Sequence, residues 1–358
     1  MEIALITSGN GFLGQHLVKH LQLYGPESIK EIRVLDEKEF EKQLEYESPF
    51  PVRSFVGTIL DDDVLKEALE NVDSVIHLTE IRDLSLIPDV DAMTKVNVDG
   101  TANLVRFCDE GRSVKRFLFL SSFDVMVPTY THKVFNMEIS EIPINNWHLQ
   151  DYAMGKYQAE QLVFASDTFQ SFAVRASPMY GELDDPKTSF IIKAMQVARF
   201  FSGTLPVISA CRDGVIQHTY VGNVAYGMVK ILEKMTSDKT ATKEVVFVLD
   251  DTPFKDFYNL IEPYLRARKY QLASHLIWFT PFFFPYLIFE KTARLMNKCF
   301  DLKPYLKDCP SAAIIYNFLH NWILFSGLKA LTYIGYKPLY TFEQAVDASK
   351  KYYASVSL

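Results

Sequence analysis

The sequence predicts an α/β protein built on a doubly wound parallel sheet, with a smaller C-terminal lobe. Three observations predict it. An apolar run, Met1 to Ile6, passes through a glycine-rich turn into residues with helical spacing from Gln15 to Leu21. A second apolar run, Ile32-Arg33-Val34-Leu35, ends in Asp36, 22 residues after Gly14. Strand-like and helix-like stretches then alternate as far as Arg175, which is the pattern of a parallel sheet covered on both faces.

The elements follow in order. Further strands are expected at Val52–Gly57, Ser74–Leu78, Arg116–Leu120 and Ser171–Arg175. Helices are expected from Asp61 to Leu69, Val90 to Gly111 and Asp151 to Ser166. Right-handed crossovers leave little choice of topology. Beyond about residue 180 the pattern loosens. Helices are expected at Ser189–Phe201, Val221–Lys234 and Pro253–Ala267, with a strand at Glu244–Leu249. The expected division is 1–180 for the sheet domain and 181–358 for the lobe, partly interleaved with the end of the sheet.

Bulk properties narrow the function classes. The chain has 358 residues, 48% of them apolar, a net charge of −7 and no block of Lys and Arg, so a nucleic-acid partner is not expected. Cys108, Cys211, Cys299 and Cys309 form no CxxC pair and no metal-like spacing with histidine, and read as free thiols in a reducing compartment. No metal site is indicated, and His132, His148, His218 and His275 read as structural or exposed. No targeting segment is expected ahead of the first strand.

The turn Ser8-Gly9-Asn10-Gly11-Phe12-Leu13-Gly14 suits a dinucleotide. Its glycines let a pyrophosphate lie against bare backbone, and the following helix offers it unpaired N–H groups. Asp36 falls where a carboxylate bonds the ribose 2′-hydroxyl, which favours NAD over its 2′-phosphorylated form. Ligands of such sheets bind beyond the carboxyl ends of the strands, where Asp36, His77 and Ser122 all lie. Tyr152 and Lys156 are spaced i, i+4 and share a helix face. The ammonium is expected to lower the phenol pKa and fit Tyr152 to exchange a proton with an alcohol. Ser122 would hold the same oxygen.

These residues resemble the extended short-chain dehydrogenase/reductases, of the Rossmann type. Within them the chain is most similar to the 3β-hydroxysteroid dehydrogenase/isomerase group and its relatives, the sterol-4α-carboxylate 3-dehydrogenases. The marks include Gly11-Phe12-Leu13-Gly14-Gln15-His16, Val96-Asn97-Val98-Asp99-Gly100-Thr101, Leu120-Ser121-Ser122, and Tyr152 with Lys156. Further on come Tyr220-Val221-Gly222-Asn223-Val224-Ala225, Asp250-Asp251-Thr252-Pro253 and Gly335-Tyr336-Lys337-Pro338-Leu339-Tyr340.

The resemblance implies Tyr152 as acid/base, Lys156 as its partner and a ribose ligand, and Ser122 as the hydroxyl beside them, with Ser121 the alternative. It implies NAD contacts at Gly9, Gly11, Phe12, Leu13, Gly14, Asp36, Thr58, Ile59, His77, Tyr152 and Lys156. It implies oxidation of a 3β-hydroxysteroid or sterol, with a Δ5-to-Δ4 isomerisation open as a second step. It also leaves open a substrate bearing a C4 carboxylate, a homodimer, and a place on the cytoplasmic face of the endoplasmic reticulum membrane. Several positions depart from the pattern: Ser8 stands at the first loop glycine, Thr58 at an acid, Gly155 at the small residue before Lys156, Ala176 at a proline, and Met228 at a histidine. The departures at Ser8 and Thr58 keep a rival reading in view, a non-catalytic dinucleotide sensor or scaffold.

Leu276 to Phe289 is fourteen residues with one polar member, within an apolar segment at 274–300, and is followed by Lys291, Arg294 and Lys298. It is too short to span a bilayer and is expected to be a membrane-facing part of the lobe. The alternatives are the lobe's own core and a dimer contact.

Overall fold

A computed structural model describes residues 1–129, 133–209, 214–278 and 280–358. His132 and Cys211 lie outside the described residues. Cys108, Cys299 and Cys309 are free thiols.

The first half is built of β1 (Glu2–Thr7), α1 (Phe12–Tyr24), β2 (Ile29–Asp36), β3 (Val52–Val56), α2 (Asp62–Ala68) and β4 (Ser74–His77). Next come α3 (Val90–Met93) and α4 (Thr101–Gly111), joined by a π-helical turn, Thr94–Gly100. Then follow β5 (Arg116–Ser122), β6 (Lys133–Asn136), α5 (Gln150–Ala165), β7 (Gln170–Ala176) and β8 (Met179–Tyr180). The second half contributes α6 (Phe190–Phe200), β9 (Thr204–Ser209), β10 (Val215–Ile216), β11 (Thr219–Tyr220), α7 (Val221–Ser237), β12 (Glu244–Val246) and α8 (Phe257–Ala267). It ends in β13 (Gln271–Trp278), α9 (Thr280–Met296), α10 (Lys303–Leu306), α11 (Ala312–His320), β14 (Trp322–Phe325) and α12 (Phe342–Ser355).

Seven strands form one parallel sheet in the order β12-β7-β5-β4-β1-β2-β3. Its period-2 side chains divide cleanly between two cores. On β1, Ala4 and Ile6 join one cluster while Leu5 joins the other. On β5, Leu118 and Leu120 face the first, and Phe117 and Phe119 the second. The first cluster is roofed by Leu17 and Leu21 of α1 and by Val224 and Met228 of α7. The second is roofed by Leu65 of α2, Leu104 of α4 and Val163 of α5.

The second half is woven into the first. β12 is the edge strand of the main sheet, with Val245 opposite Ala173. A small parallel sheet, β10-β14-β6, draws its strands from three distant parts of the chain. Asn223 gathers three of the motifs that carry the resemblance. Its amide nitrogen donates to Asp250 Oδ2 and to the Tyr340 carbonyl, both at 2.9 Å. Its amide oxygen accepts from the Leu339 and Tyr340 N–H groups. These motifs thus hold the lobe together at a buried amide, with Met228 one turn further along α7 in the core.

Helix α12 is fastened by Asp184. The Tyr353 hydroxyl donates to Asp184 Oδ2 at 2.6 Å, the Tyr352 hydroxyl to its carbonyl at 2.6 Å, and the Ser189 hydroxyl to the same carboxylate. Burial pushes this carboxyl up to about 7 against the pull of its hydroxyl donors. The native state therefore keeps a proton that the unfolded chain gives up, and stability falls as pH rises from about 4 to about 7. Asp184→Asn is expected to remove that component, so that urea unfolding at pH 5 and pH 7.5 differs less in the variant than in the parent chain.

Candidate active site

Parallel strands all end on one edge, and that edge assembles the site. The glycine turn follows β1. Gly11 is the N-cap of α1, whose first turn carries no acidic residue and no side-chain cap, so its N–H groups are open to an anion. A Cβ on Gly14 would lie 2.4 Å from the Ser8 carbonyl oxygen and 2.7 Å from the Gly9 backbone. A Cβ on Gly9 would lie 2.6 Å from Val34. The turn is thus a bare-backbone cradle of the shape a pyrophosphate needs. Phe12 is half-buried against His16 and Leu13 is buried, so both hold the helix start against the core.

Ser8 adopts φ +56°, the left-handed region, at a cost of roughly 1–2 kcal/mol for a residue with a Cβ. Its hydroxyl pairs with that of Thr79 at 2.8 Å. Asp36 ends β2, and its Oδ2 accepts from the Asn10 N–H at 2.9 Å. Thr58 is exposed on the same edge just beyond β3, and its hydroxyl accepts from the Leu60 N–H. Ile59 is buried under Gly100, so only its backbone faces that edge.

The ring of His77, one of the expected cofactor contacts, is turned into the protein. His77 is fully buried, with Nδ1 2.9 Å from Thr7 Oγ1 and Nε2 3.0 Å from Thr101 Oγ1. Both ring nitrogens are used inside the protein. Burial, with the Lys156 charge added, pulls its pKa down to about 3, so it is a neutral link between β1, β4 and α4.

Ser122, Tyr152 and Glu80 line one cavity of about 50 Å³ at the carboxyl ends of β4 and β5. Lys156 follows Tyr152 by one turn of α5, and both are buried. The Ser122 hydroxyl donates to Asp124 Oδ2 at 2.7 Å, whereas Ser121 donates to Glu160, itself paired with Arg175. Both serines line this cavity, and Ser121 is the one tied into the buried Glu160–Arg175 pair. Asp124 also meets His148 at 3.1 Å and Arg82 at 3.5 Å. Burial pushes the Asp124 carboxyl up, but His148, Arg82 and Ser122 together hold it below its ordinary value. A larger hollow of about 470 Å³ lies between residues 40 and 52 and touches none of the three predicted catalytic residues.

The expected tuning of Tyr152 by Lys156 is not what the structure shows. The ammonium points to Glu80 Oε2 at 2.8 Å, and the Tyr152 hydroxyl donates to the same oxygen at 3.0 Å. Burial first, and the Glu80 charge second, push Tyr152 well above its ordinary value. The Arg82 guanidinium, 5.5 Å over the ring, only opposes this. Glu80, Arg82 and Asp124 escaped the sequence reading because none belongs to a spaced motif. Their one signal was position, each lying just past the carboxyl end of a central strand. Gly155 leaves open space beside α5, since an added Cβ would meet only Val98 at 3.7 Å. Among the described residues no cluster of His, Cys, Asp and Glu is placed to hold a metal.

The profile of the 3-beta hydroxysteroid dehydrogenase/isomerase family matches residues 5–278. The chain belongs to this family. Solved structures with the same fold include a dTDP-glucose 4,6-dehydratase from Streptomyces venezuelae with NAD bound. It is 17% identical with a TM-score of 0.70, over 98% of this chain and 96% of that one. A Thermus thermophilus UDP-glucose 4-epimerase in complex with NAD is 17% identical with a TM-score of 0.66, over 99% and 100%. A Bacillus anthracis dTDP-glucose 4,6-dehydratase in complex with NAD is 16% identical with a TM-score of 0.67, over 99% and 96%. The likeness shows the fold, a Rossmann-like parallel sheet flanked by helices.

Gly14→Ala tests the cradle. The added Cβ has backbone on two sides, and overpacking of this kind costs about 1–3 kcal/mol. The variant is expected to melt earlier and to bind NAD at least about tenfold more weakly in a fluorescence titration, the equivalent of roughly 1.4 kcal/mol.

Proposed function

We propose that the protein is an NAD-dependent oxidoreductase that converts a 3β-hydroxyl group of a steroid or sterol to the ketone. The observation that carries the reading is the meeting of Ser122, Tyr152 and Lys156 at the carboxyl edge of the sheet, in a chain of this family. The Gly9–Gly14 turn and Asp36 would hold the pyrophosphate and adenosine ribose, and the bound dinucleotide supplies the hydride acceptor. Tyr152 exchanges the proton of the substrate hydroxyl. The Ser122 hydroxyl donates to Asp124 Oδ2 and its Oγ accepts from the Asp124 N–H, which leaves one lone pair on Oγ to accept from a substrate hydroxyl.

The cavity of about 50 Å³ is far below the roughly 300–1,000 Å³ of ligand pockets. Beside it, Leu84, Leu149, Phe190 and Ile314 close a second hollow of about 20 Å³. A sterol enters by parting these apolar side chains, which come from both halves of the chain.

One observation favours the carboxylated sterol as substrate. Arg82 lines both hollows, and its Nε is buried without a hydrogen-bond partner among the described residues. A C4 carboxylate would satisfy it. NADH formation from a panel of 3β-hydroxysteroids and sterols, with and without that carboxylate, tests both readings. Tyr152→Phe is expected to lower turnover by about 10²–10⁴-fold while NAD binding persists. Turnover unchanged in that variant would remove Tyr152 from the acid/base role, and NAD binding with no NADH formed from any member of the panel would leave the sensor reading standing. Arg82→Met is expected to lower kcat/KM for the carboxylated sterol by about 10–100-fold, the worth of a hydrogen bond to a charged group, and for the plain sterol by less.

The reading extends to a lipid surface. No helix among the described residues is long and apolar enough to cross a membrane. Helix α9 instead turns a narrow stripe inward, with Tyr286, Glu290 and Ala293, and leaves Phe282, Phe284 and Ile288 exposed. Trp278, just before it, is 77% exposed. Lys291 and Lys298 follow on the exposed side. Aromatic and apolar side chains bordered by cations suit the interface of an anionic bilayer. The protein is expected to co-sediment with vesicles containing phosphatidylserine and less with neutral ones. Replacing Phe282, Phe284 and Ile288 by Ser should release it without lowering its melting temperature.

A further inference from the structure

Glu80 is built into the catalytic cavity. The backbone on either side of it is pinned by buried side chains. The Leu78 and Thr79 N–H groups donate to Thr7 Oγ1 at 3.0 and 3.1 Å. The Ile81 N–H donates to Asn97 Oδ1 at 2.7 Å, and its carbonyl accepts from Asn97 Nδ2 at 2.8 Å. Asn97 sits in the π-helical turn, so an irregular helix serves to fix this loop. So held, Glu80 places a single oxygen, Oε2, against both the Tyr152 hydroxyl and the Lys156 ammonium.

That geometry decides who owns the proton. A phenolate at Tyr152, itself buried, would lie about 3 Å from a carboxylate, where two like charges strongly disfavour each other. Tyr152 and Glu80 therefore share one proton. The other groups facing them do not supply a second acceptor. Arg82 covers the Tyr152 ring, Asp124 is engaged by Ser122, His148 and Arg82, and His77 is neutral with both ring nitrogens used. Lys156 is 1% exposed, whereas Glu80 is 23% exposed and so offers the group its contact with water.

We propose that Glu80 is the proton acceptor behind Tyr152, a positioning residue that takes the phenol's proton as Tyr152 takes that of the substrate hydroxyl. The proposal rests on the dehydrogenase reading above. In the step, the substrate O–H bond breaks and a new Tyr152 O–H bond forms. The original Tyr152 O–H bond breaks and an O–H bond forms on Glu80 Oε2. The carbinol C–H bond breaks, and its electron pair goes with the hydrogen to the oxidised nicotinamide dinucleotide, leaving a ketone. Glu80 then loses its proton to water through its exposed edge.

The first test needs neither substrate nor cofactor. Tyrosinate absorbance, taken as the difference between a chain and its Tyr152→Phe counterpart, reports Tyr152 alone. With Glu80→Gln, the carboxylate in contact with the phenol is gone while the Lys156 and Arg82 cations remain beside it, and its titration is expected to fall by one pH unit or more. Glu80→Asp is expected to stay on the side of the parent chain, and Glu80→Ala repeats the comparison should the Gln variant not fold. In NADH formation, Glu80→Gln is expected to lose about 10²-fold near pH 7 and to recover at least tenfold near pH 10, as the phenolate becomes the base. Glu80→Asp should retain activity within tenfold. A Tyr152 titration and a pH profile both unmoved by Glu80→Gln would overturn the proposal. Tighter NAD binding as the only change would overturn it too, by making Glu80 a mere competitor for Lys156. If the parent chain oxidises no alcohol, the dehydrogenase reading fails, and the proton-acceptor role falls with it. The absorbance titration separates that failure from a failure of the Tyr152–Glu80 contact itself.

Discussion

Parallel pairing is the constraint on which the rest of this structure depends. Seven strands run the same way, so seven carboxyl ends lie on one edge. The loops leaving β1, β2, β4 and β5 bring the glycine turn, Asp36, Glu80 and Ser122 to that edge from positions up to 114 residues apart. Crossover helices then have to cover both faces, and the alternation of Ala4, Leu5 and Ile6 between two cores is the price of that arrangement.

Charge inside the site is arranged in two linked groups. Glu80 neutralises Lys156 and holds the Tyr152 hydroxyl, while Asp124 holds Ser122 and is itself held by Arg82 and His148. Arg82 touches both groups, through Asp124 and over the Tyr152 ring. The two hydroxyls expected to meet a substrate oxygen are thus each backed by a carboxylate. The two carboxylates differ in their company: Asp124 is engaged by Ser122, His148 and Arg82, whereas Glu80 meets the Tyr152 hydroxyl and the Lys156 ammonium through one oxygen.

The second half of the chain supplies cover. It closes the main sheet with β12, roofs the first core with α7, and lines the hollow beside the cavity with Phe190 of α6 and Ile314 of α11. The outer face of α9 is apolar, and its inner face packs on Leu86 and Ile87 and on the start of α11, where Glu290 accepts from the Ala312 N–H.

Local pattern alone determined much of this. Period-2 and period-3.6 hydrophobicity located every strand of the main sheet to within three residues, and the glycine turn and the Tyr152–Lys156 spacing marked two parts of the site, because each of these signals is carried by neighbours in the chain. Only the tertiary structure decided the partners of the titratable groups. Glu80 reaches Tyr152 across 72 residues and Asp124 reaches Arg82 across 42, and no spacing rule connects such pairs. For the same reason the sequence did not show that both ring nitrogens of His77 are satisfied by Thr7 and Thr101, or that the ammonium of Lys156 turns from the phenol to a carboxylate that follows another strand.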